Sequence, residues 1–341
     1  MNRFRLLGFL IGTLSVATLG QVTITDPYLY RPVDSYNDCA NASPASCYVD
    51  MVIPNPDYRT VPIRVRYPRT VPPGGKIPLI IWSHGGGENK IGREINEPWG
   101  RTLARAGYIV VHMSHFWSPE LRTAACTEFA VQTVQECMDF PMGSLIRPRD
   151  ASTVLGALDL IERSIPELDG RIDRNNIAVA GWSYGSLTAL TIAGARLRFS
   201  DTFNDVSFAN PLPKVFLALS PQAQADLGWK SDSWRLISRP VLFGYGAADV
   251  AGTDNYVSRG IPFQSVVPGN KFELFIRHLD AVHDTFNLTN ENHPEFSQWL
   301  ASYTLAYFDR YLKNVTLGGA FIASQRLPLR ASKRVVRISR R

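Results

Sequence analysis

Ser183 stands midway between two glycines in "AVAGWSYGSL", with Gly181 and Gly185 two residues to either side. A G-x-S-x-G setting suits a serine hydroxyl used as a nucleophile on a tight strand-to-helix turn, where flanking side chains would collide. By chance the pattern turns up in roughly one chain in ten of this length, so its surroundings must decide. The apolar "IAVAG" before it reads as a short strand and "YGSLTALTIAG" after it as a helix. That helix begins just beyond Ser183, so its N-terminal amides and dipole favour negative charge beside the hydroxyl. A serine that only caps the helix is the plain alternative.

A serine nucleophile needs a base, and the base needs an acid to orient it. Where the nucleophile follows a strand in this way, the order along the chain is serine, then Asp or Glu, then His. The histidines downstream are His278, His283 and His293. His278 directly follows the strand-like "KFELFIR" and is too close to its end to turn over a sheet. His293 opens the last helix in "NHPEF" and reads as a capping or surface residue. His283, in "LDAVHDTFN", sits on a loop with the reach to return to Ser183. For the acid, "PVLFGYG" is a buried strand and places Asp249 on the loop beyond it. Asp254 is the competitor, and Asp226, one strand too early, is a weaker third choice.

"IIWSHGGGENK" puts His84 and three glycines directly after another buried strand. Glycines let backbone amides approach a ligand oxygen closely, and the HGGG element is known from esterases and lipases. The backbone N–H groups of Gly86 and Tyr184 are the expected oxyanion donors, worth roughly 3 kcal/mol each in the transition state. His84 is expected to brace this loop. Trp82, Trp117, Trp182 and Tyr184 are candidate apolar walls of a pocket, and each could equally be core. No His/Cys spacing points to a metal, and no cofactor is expected.

The elements that would position these residues are legible as alternating periods. "VPIRVRYP" alternates as an edge strand does. "IPLIIWS" is a continuous apolar run, as in a strand buried on both faces, "YIVVHMS" reads as another buried strand, and "NIAVAG", "KVFLALS", "PVLFGYG" and "KFELFIR" read as strands too. Helices are expected around 94–107, over 148–165 with Pro148 and Asp150 in the opening turn, after Ser183, and over 294–312. Buried strands alternating with helices predict an α/β fold: a mostly parallel central sheet with helices on both faces and no large cap domain. Residues 61–320 read as that domain, preceded by an irregular lead-in (21–60) and followed by a basic tail (321–341). Residues 116–146 and 221–238 are the longest insertions and the expected pocket walls.

Residues 1–20, two arginines before an apolar run that ends in small residues, have the layout of a cleaved signal peptide, with a retained anchor as the alternative. Secretion or a periplasmic location is the corresponding expectation. The cysteines then suggest local disulfides, Cys39 with Cys47 and Cys126 with Cys137. Sequons stand at Asn41, Asn287 and Asn314. The whole chain carries 36 Lys and Arg against 30 Asp and Glu, a net charge of +6. Seven of the basic residues lie in 326–341, and the remaining 29 leave the rest at −1. The body thus offers no footprint for nucleic acid. The tail could touch an anionic surface, but a frayed, solvated terminus is the expected reading.

Taken together, "SHGGG", "RPRDASTVL", "GWSYGS", "ALSPQ", "GAAD" and "PGNKFELFI...AVHDTF" resemble the α/β-hydrolase superfamily. More narrowly, they resemble the secreted or lipoprotein-associated platelet-activating-factor acetylhydrolases and the related dienelactone-hydrolase-like esterases. The resemblance runs from about Val61 to Phe286. It implies Ser183, Asp249 and His283 as a catalytic triad, with the amides of Gly86 and Tyr184 as the oxyanion hole. Glycine follows "HG" where such enzymes often carry a larger apolar residue, and Trp182 stands where they often carry His. A dienelactone hydrolase proper would use a cysteine in place of Ser183. The expectation is a serine carboxylic-ester hydrolase acting on a small-molecule, lipid or polymer ester. A peptidase or amidase on the same scaffold and an inactive binding module are the alternatives.

Overall fold

The computed structural model describes residue 30 and residues 48–55, 60–68, 74–86, 91–115, 142–200, 204–324 and 335–341. Its strands are β1 (Tyr48–Ile53), β2 (Val61–Arg66), β3 (Ile77–Ser83), β4 (Ile109–Met113), β5 (Ile172–Trp182), β6 (Arg196–Leu197), β7 (Val206–Ser207), β8 (Val215–Leu219), β9 (Val241–Gly246), β10 (Lys271–Ile276) and β11 (Val336–Arg340). Helices are α1 (Glu97–Arg105), α2 (Met142–Gly156), α3 (Leu158–Ser164), α4 (Tyr184–Ala193), α5 (Tyr256–Ser265), α6 (Pro294–Leu312) and α7 (Thr316–Ser324).

Nine strands form one sheet in the order β1-β2-β4-β3-β5-β8-β9-β10-β11, while β6 and β7 pair apart from it. The six from β4 to β10 run parallel. β1, β2 and β11 join as antiparallel edges. The chain is therefore a mixed α/β protein with a large, mostly parallel central sheet. Every residue of β3, β4, β8, β9 and β10 is buried, which is why those segments are mostly apolar, with His112 in β4 and Lys271 and Glu273 in β10 buried among them.

Alternate residues feed two cores. Leu79 and Ile81 of β3 pack on one face with Leu155 of α2 and Leu187 and Leu190 of α4. Ile80 and Trp82 pack on the other with Trp99 and Leu103 of α1 and Leu300 and Tyr307 of α6. Each fully buried Leu, Ile or Phe contributes roughly 1.5–3 kcal/mol of burial free energy. No helix among the described residues is long and apolar enough to cross a membrane.

Several expected boundaries move. The lead-in contains β1, whose Tyr48 lies under the guanidinium of Arg64 at 3.7 Å. The helix expected from 148 begins at Met142, so Pro148 is internal to α2, and a break at Ala157 separates α3. The basic terminus does not end as a solvated tail. Val336–Arg340 extends the sheet beside β10, with Val336 buried. Arg337 Nε and Ser339 Oγ both donate to the buried carboxylate of Glu273, each at 2.9 Å. That inward-facing acid is the partner that makes a basic edge strand stable there.

Because the central strands are parallel, their carboxyl ends share one edge of the sheet. Register brings Ser83 beside Gly181, Trp182 beside Leu219 and Gly246 beside Ile276. The segments that leave β3, β5, β8, β9 and β10 thus converge, and the candidate site lies among them.

Candidate active site

Ser183 occupies the turn between β5 and α4 with φ 54° and ψ −121°. A non-glycine residue at positive φ is strained, and such strain is held only where the surroundings over-determine it. Here the Ser183 N–H donates to Leu219 O (2.8 Å), and its carbonyl accepts from Ser186 N–H (2.9 Å). The two glycines are sterically required. A Cβ at Gly181 would overlap the Gly185 carbonyl, and a Cβ at Gly185 would overlap the carbonyl of Ser83. Both obstacles are backbone, so neither can yield as a flexible side chain would.

Asp249 and His283 are placed together. His283 Nδ1 and Asp249 Oδ1 are 2.7 Å apart, with the Asp249 side chain fully buried and His283 partly open. Their loops are aligned by a parallel bridge between Ala248 and Val282, the residues just before each. Gly246 lets these loops approach, since a Cβ there would meet Ala281. The second carboxylate oxygen of Asp249 accepts from Ser220 Oγ at 2.6 Å. Asp254 is elsewhere: its Oδ1 accepts from Ser258 Oγ (2.8 Å) at the start of α5. Burial raises its pKa. Asp226 is exposed on a short turn.

His283 is joined to the serine turn through Trp182. The indole and imidazole centroids are 4.7 Å apart, and Trp182 Nε1–H donates to the His283 carbonyl at 3.2 Å. His278 and His293 contact each other and Asp280 instead. His293 holds the N-cap position of α6, as expected from "NHPEF", yet its side chain makes no capping hydrogen bond.

Beside Ser183 runs the chain after β3. Gly85 abuts it, and a Cβ there would stand 2.6 Å from the Trp182 ring and 3.3 Å from Ser183 Cβ. Gly86 faces open space among the described residues. Tyr184 is the first residue of α4, and the N–H groups of a helix's first turn have no intrahelical acceptor. Gly87 and Trp117 lie outside the described residues, as do Cys39, Cys47, Cys126 and Cys137.

Trp82 is not a pocket wall. It is fully buried, stacked on Trp99 and His112, and donates to Asn96 Oδ1 at 3.1 Å. It points to the opposite end of the alternation from Ile81, into the α1–α6 core.

Several residues that shape the site were not singled out from the sequence. Arg259 is fully buried and gives Nε to Asp249 O (2.8 Å) and Nη1 to Ser220 O (2.7 Å). Its Nε also lies 3.0 Å from Asp249 Oδ1. A cation in the first turn of a helix opposes the dipole, so an Arg early in α5 was the legible hint that it had other partners. Arg147 of α2 does the same for the glycine loop, donating to the carbonyls of His84 (2.5 Å) and Gly85 (3.1 Å). Burial lowers its pKa to about 10. Its guanidinium lies 4.4 Å from the centre of the Tyr184 ring, whose hydroxyl is 3.2 Å from Ser144 Oγ.

Beneath this loop lies a second Ser–His–Asp chain. His115 Nδ1 is 2.9 Å from Asp150 Oδ2, and His115 Nε2 is 2.8 Å from Ser83 Oγ. All three are buried to 1% exposure or less. Ser83 Oγ donates onward to Thr188 Oγ1 at 2.9 Å. The residue types match those at Ser183, but this hydroxyl ends in the core. His84, the expected brace, is likewise buried; its Nε2 accepts from the His115 N–H (3.2 Å), and burial pushes its pKa well down.

Compared with protein-family models and with curated protein sequences, the chain matches none.

Proposed function

We propose that the chain is a serine carboxylic-ester hydrolase of the α/β-hydrolase type. The observation that carries the reading is the strained Ser183, φ 54°, seated one residue from the indole that holds the His283–Asp249 pair. In this reading His283 Nδ1–H donates to Asp249, which leaves the Nε2 lone pair free to take the Ser183 proton. Ser183 Oγ attacks the ester carbonyl, and the resulting oxyanion is met by the N–H groups of Gly86 and Tyr184. The imidazolium then delivers its proton to the leaving alcohol as the C–O bond breaks. Water, deprotonated by the same histidine, releases the acid and restores the serine.

Asp249 does not accept the proton. It fixes the tautomer and offsets the imidazolium charge, and Ser220 and Arg259 hold it in place. The near-neutral body and the aromatic Trp182 at the serine favour an uncharged or amphiphilic acyl substrate: a short-chain ester, a phospholipid-like ester or a polyester. An exported protein with paired cysteines is the compatible setting.

The test is hydrolysis of p-nitrophenyl esters and anilides by the wild type and by Ser183→Ala. Ester turnover in the wild type and its loss in the alanine variant are the expected results. Undiminished turnover by Ser183→Ala would overturn the mechanism. Activity on anilides alone would favour an amidase, and silence on the whole panel would leave a binding module.

A further inference from the structure

We infer that His278, Asp280 and His293 form a surface site for a divalent transition-metal ion of the zinc type. One ligand atom from each lies within 4.8 Å of those of the other two. Asp280 Oδ2 is 3.3 Å from His278 Nδ1 and 2.9 Å from His293 Nε2. Donors bound at the usual Zn–N and Zn–O lengths stand about 3.3 Å from one another around a tetrahedral ion. The Asp280 N–H donates to His278 Nδ1 at 3.2 Å, so an ion is enclosed once that hydrogen bond opens or the His278 ring turns.

The chemistry of the donors selects the class of ion. Two imidazoles with one carboxylate suit zinc and its first-row neighbours, whereas calcium and magnesium prefer oxygen alone. A metal-binding histidine usually gives its other ring N–H to a carboxylate, which fixes its tautomer. His293 has that partner: its Nδ1 is 2.9 Å from Glu295 Oε1, leaving Nε2 turned to Asp280. All three side chains are part-exposed, at 39%, 57% and 26%, so an ion can enter and water can complete its coordination. The start of α6 disfavours a cation, and the charges of Asp280 and Glu295 oppose that.

Its place in the fold gives the site a consequence. His278 and Asp280 open the loop that follows β10, His283 lies on that loop, and His293 closes it at the start of α6. The Asp280 carbonyl already accepts from Asn290 Nδ2 at 2.8 Å across the loop. An ion bound here would clip both ends of the segment that carries His283. This inference does not rest on the reading of Ser183.

The experiment titrates Zn²⁺ into the EDTA-stripped full chain by calorimetry, with Co²⁺ absorption as a spectroscopic readout of imidazole coordination. The expected result is one equivalent bound in the micromolar range or tighter, with Tm raised at saturation. His278→Ala and Asp280→Asn should each lose the Co²⁺ signature, and Glu295→Gln should bind roughly 10-fold more weakly. Asp280→Asn keeps the shape of the loop, so the test survives if the alanine variant unfolds. A wild type that binds no Zn²⁺, or binding that persists unchanged in Asp280→Asn, would mean the cluster is only an ion pair and would overturn the proposal.

Discussion

The indole of Trp182 packs at a tilt against the imidazole of His283, the ring centres 4.7 Å apart, and donates Nε1–H to the carbonyl of the same residue. One side chain adjacent to Ser183 therefore grips both the ring and the backbone of the histidine. Trp182→Phe keeps an aromatic ring against His283 and removes the donor. With one hydrogen bond of about 1 kcal/mol lost, kcat on a p-nitrophenyl ester should fall roughly 3- to 10-fold. An unchanged kcat would show that packing alone holds His283.

Asp249 and Asp254 are five residues apart and only one of them meets His283. Asp249→Asn should lower kcat by about four orders of magnitude, because the amide supports the wrong tautomer of His283. Asp254→Asn should leave kcat within a few-fold, since its contacts are to Ser258 and the Ala223 N–H. Steady-state kinetics on the two variants decide the matter, and a reversed ranking would move the acid to Asp254.

The buried Ser83–His115–Asp150 chain sets a separate expectation. A fluorophosphonate should label Ser183 alone: labelling should vanish in Ser183→Ala and persist in Ser83→Ala, as read by mass spectrometry of the tryptic peptides. Asp150→Asn should cost roughly 1–3 kcal/mol of stability in urea unfolding, by taking a partner from a buried imidazole. Modification found on Ser83 would show that this chain opens to solvent.

His112 predicts the acid side of the stability profile. It is buried, with Nδ1 3.2 Å from the Ile95 carbonyl. Burial, with Arg66 nearby, pushes its pKa down to about 3. The unfolded chain takes up this proton near pH 6.5 while the folded chain resists it. The contribution is therefore complete above pH 6.5 and is lost as pH falls from 6.5 towards 3, amounting to roughly a few kcal/mol. His112→Asn keeps a donor for Ile95 and has nothing to protonate, so its stability should fall less steeply over that range. Equal slopes for wild type and variant in urea unfolding between pH 7 and 4 would refute the assignment.

Much of the scaffold was legible because its causes are local. A strand buried on both faces is mostly apolar, so β3, β8 and β9 announced themselves, while His112 in β4 and Lys271 and Glu273 in β10 are buried polar exceptions. The glycines around Ser183 are demanded by backbone collisions within a few residues' reach. The order of Ser183, Asp249 and His283 followed from strands ending at a common edge.

What tertiary structure alone decided depends on contacts between distant segments. Asp249 rather than Asp254 faces His283 because the Ala248–Val282 bridge aligns two loops far apart in sequence. Trp82 belongs to the core because the strand's alternation turns it to the α1–α6 face, a parity that an all-apolar run conceals. Arg259, Arg147 and the Ser83–His115–Asp150 chain are polar groups whose partners only folding supplies. The basic terminus became β11 because Glu273 waits inside the edge of the sheet. His278 and His293 came together with Asp280 because β10 and α6 bring the two ends of one loop side by side. Periodicity reports what each segment buries, and only the packed sheet reports what it buries against.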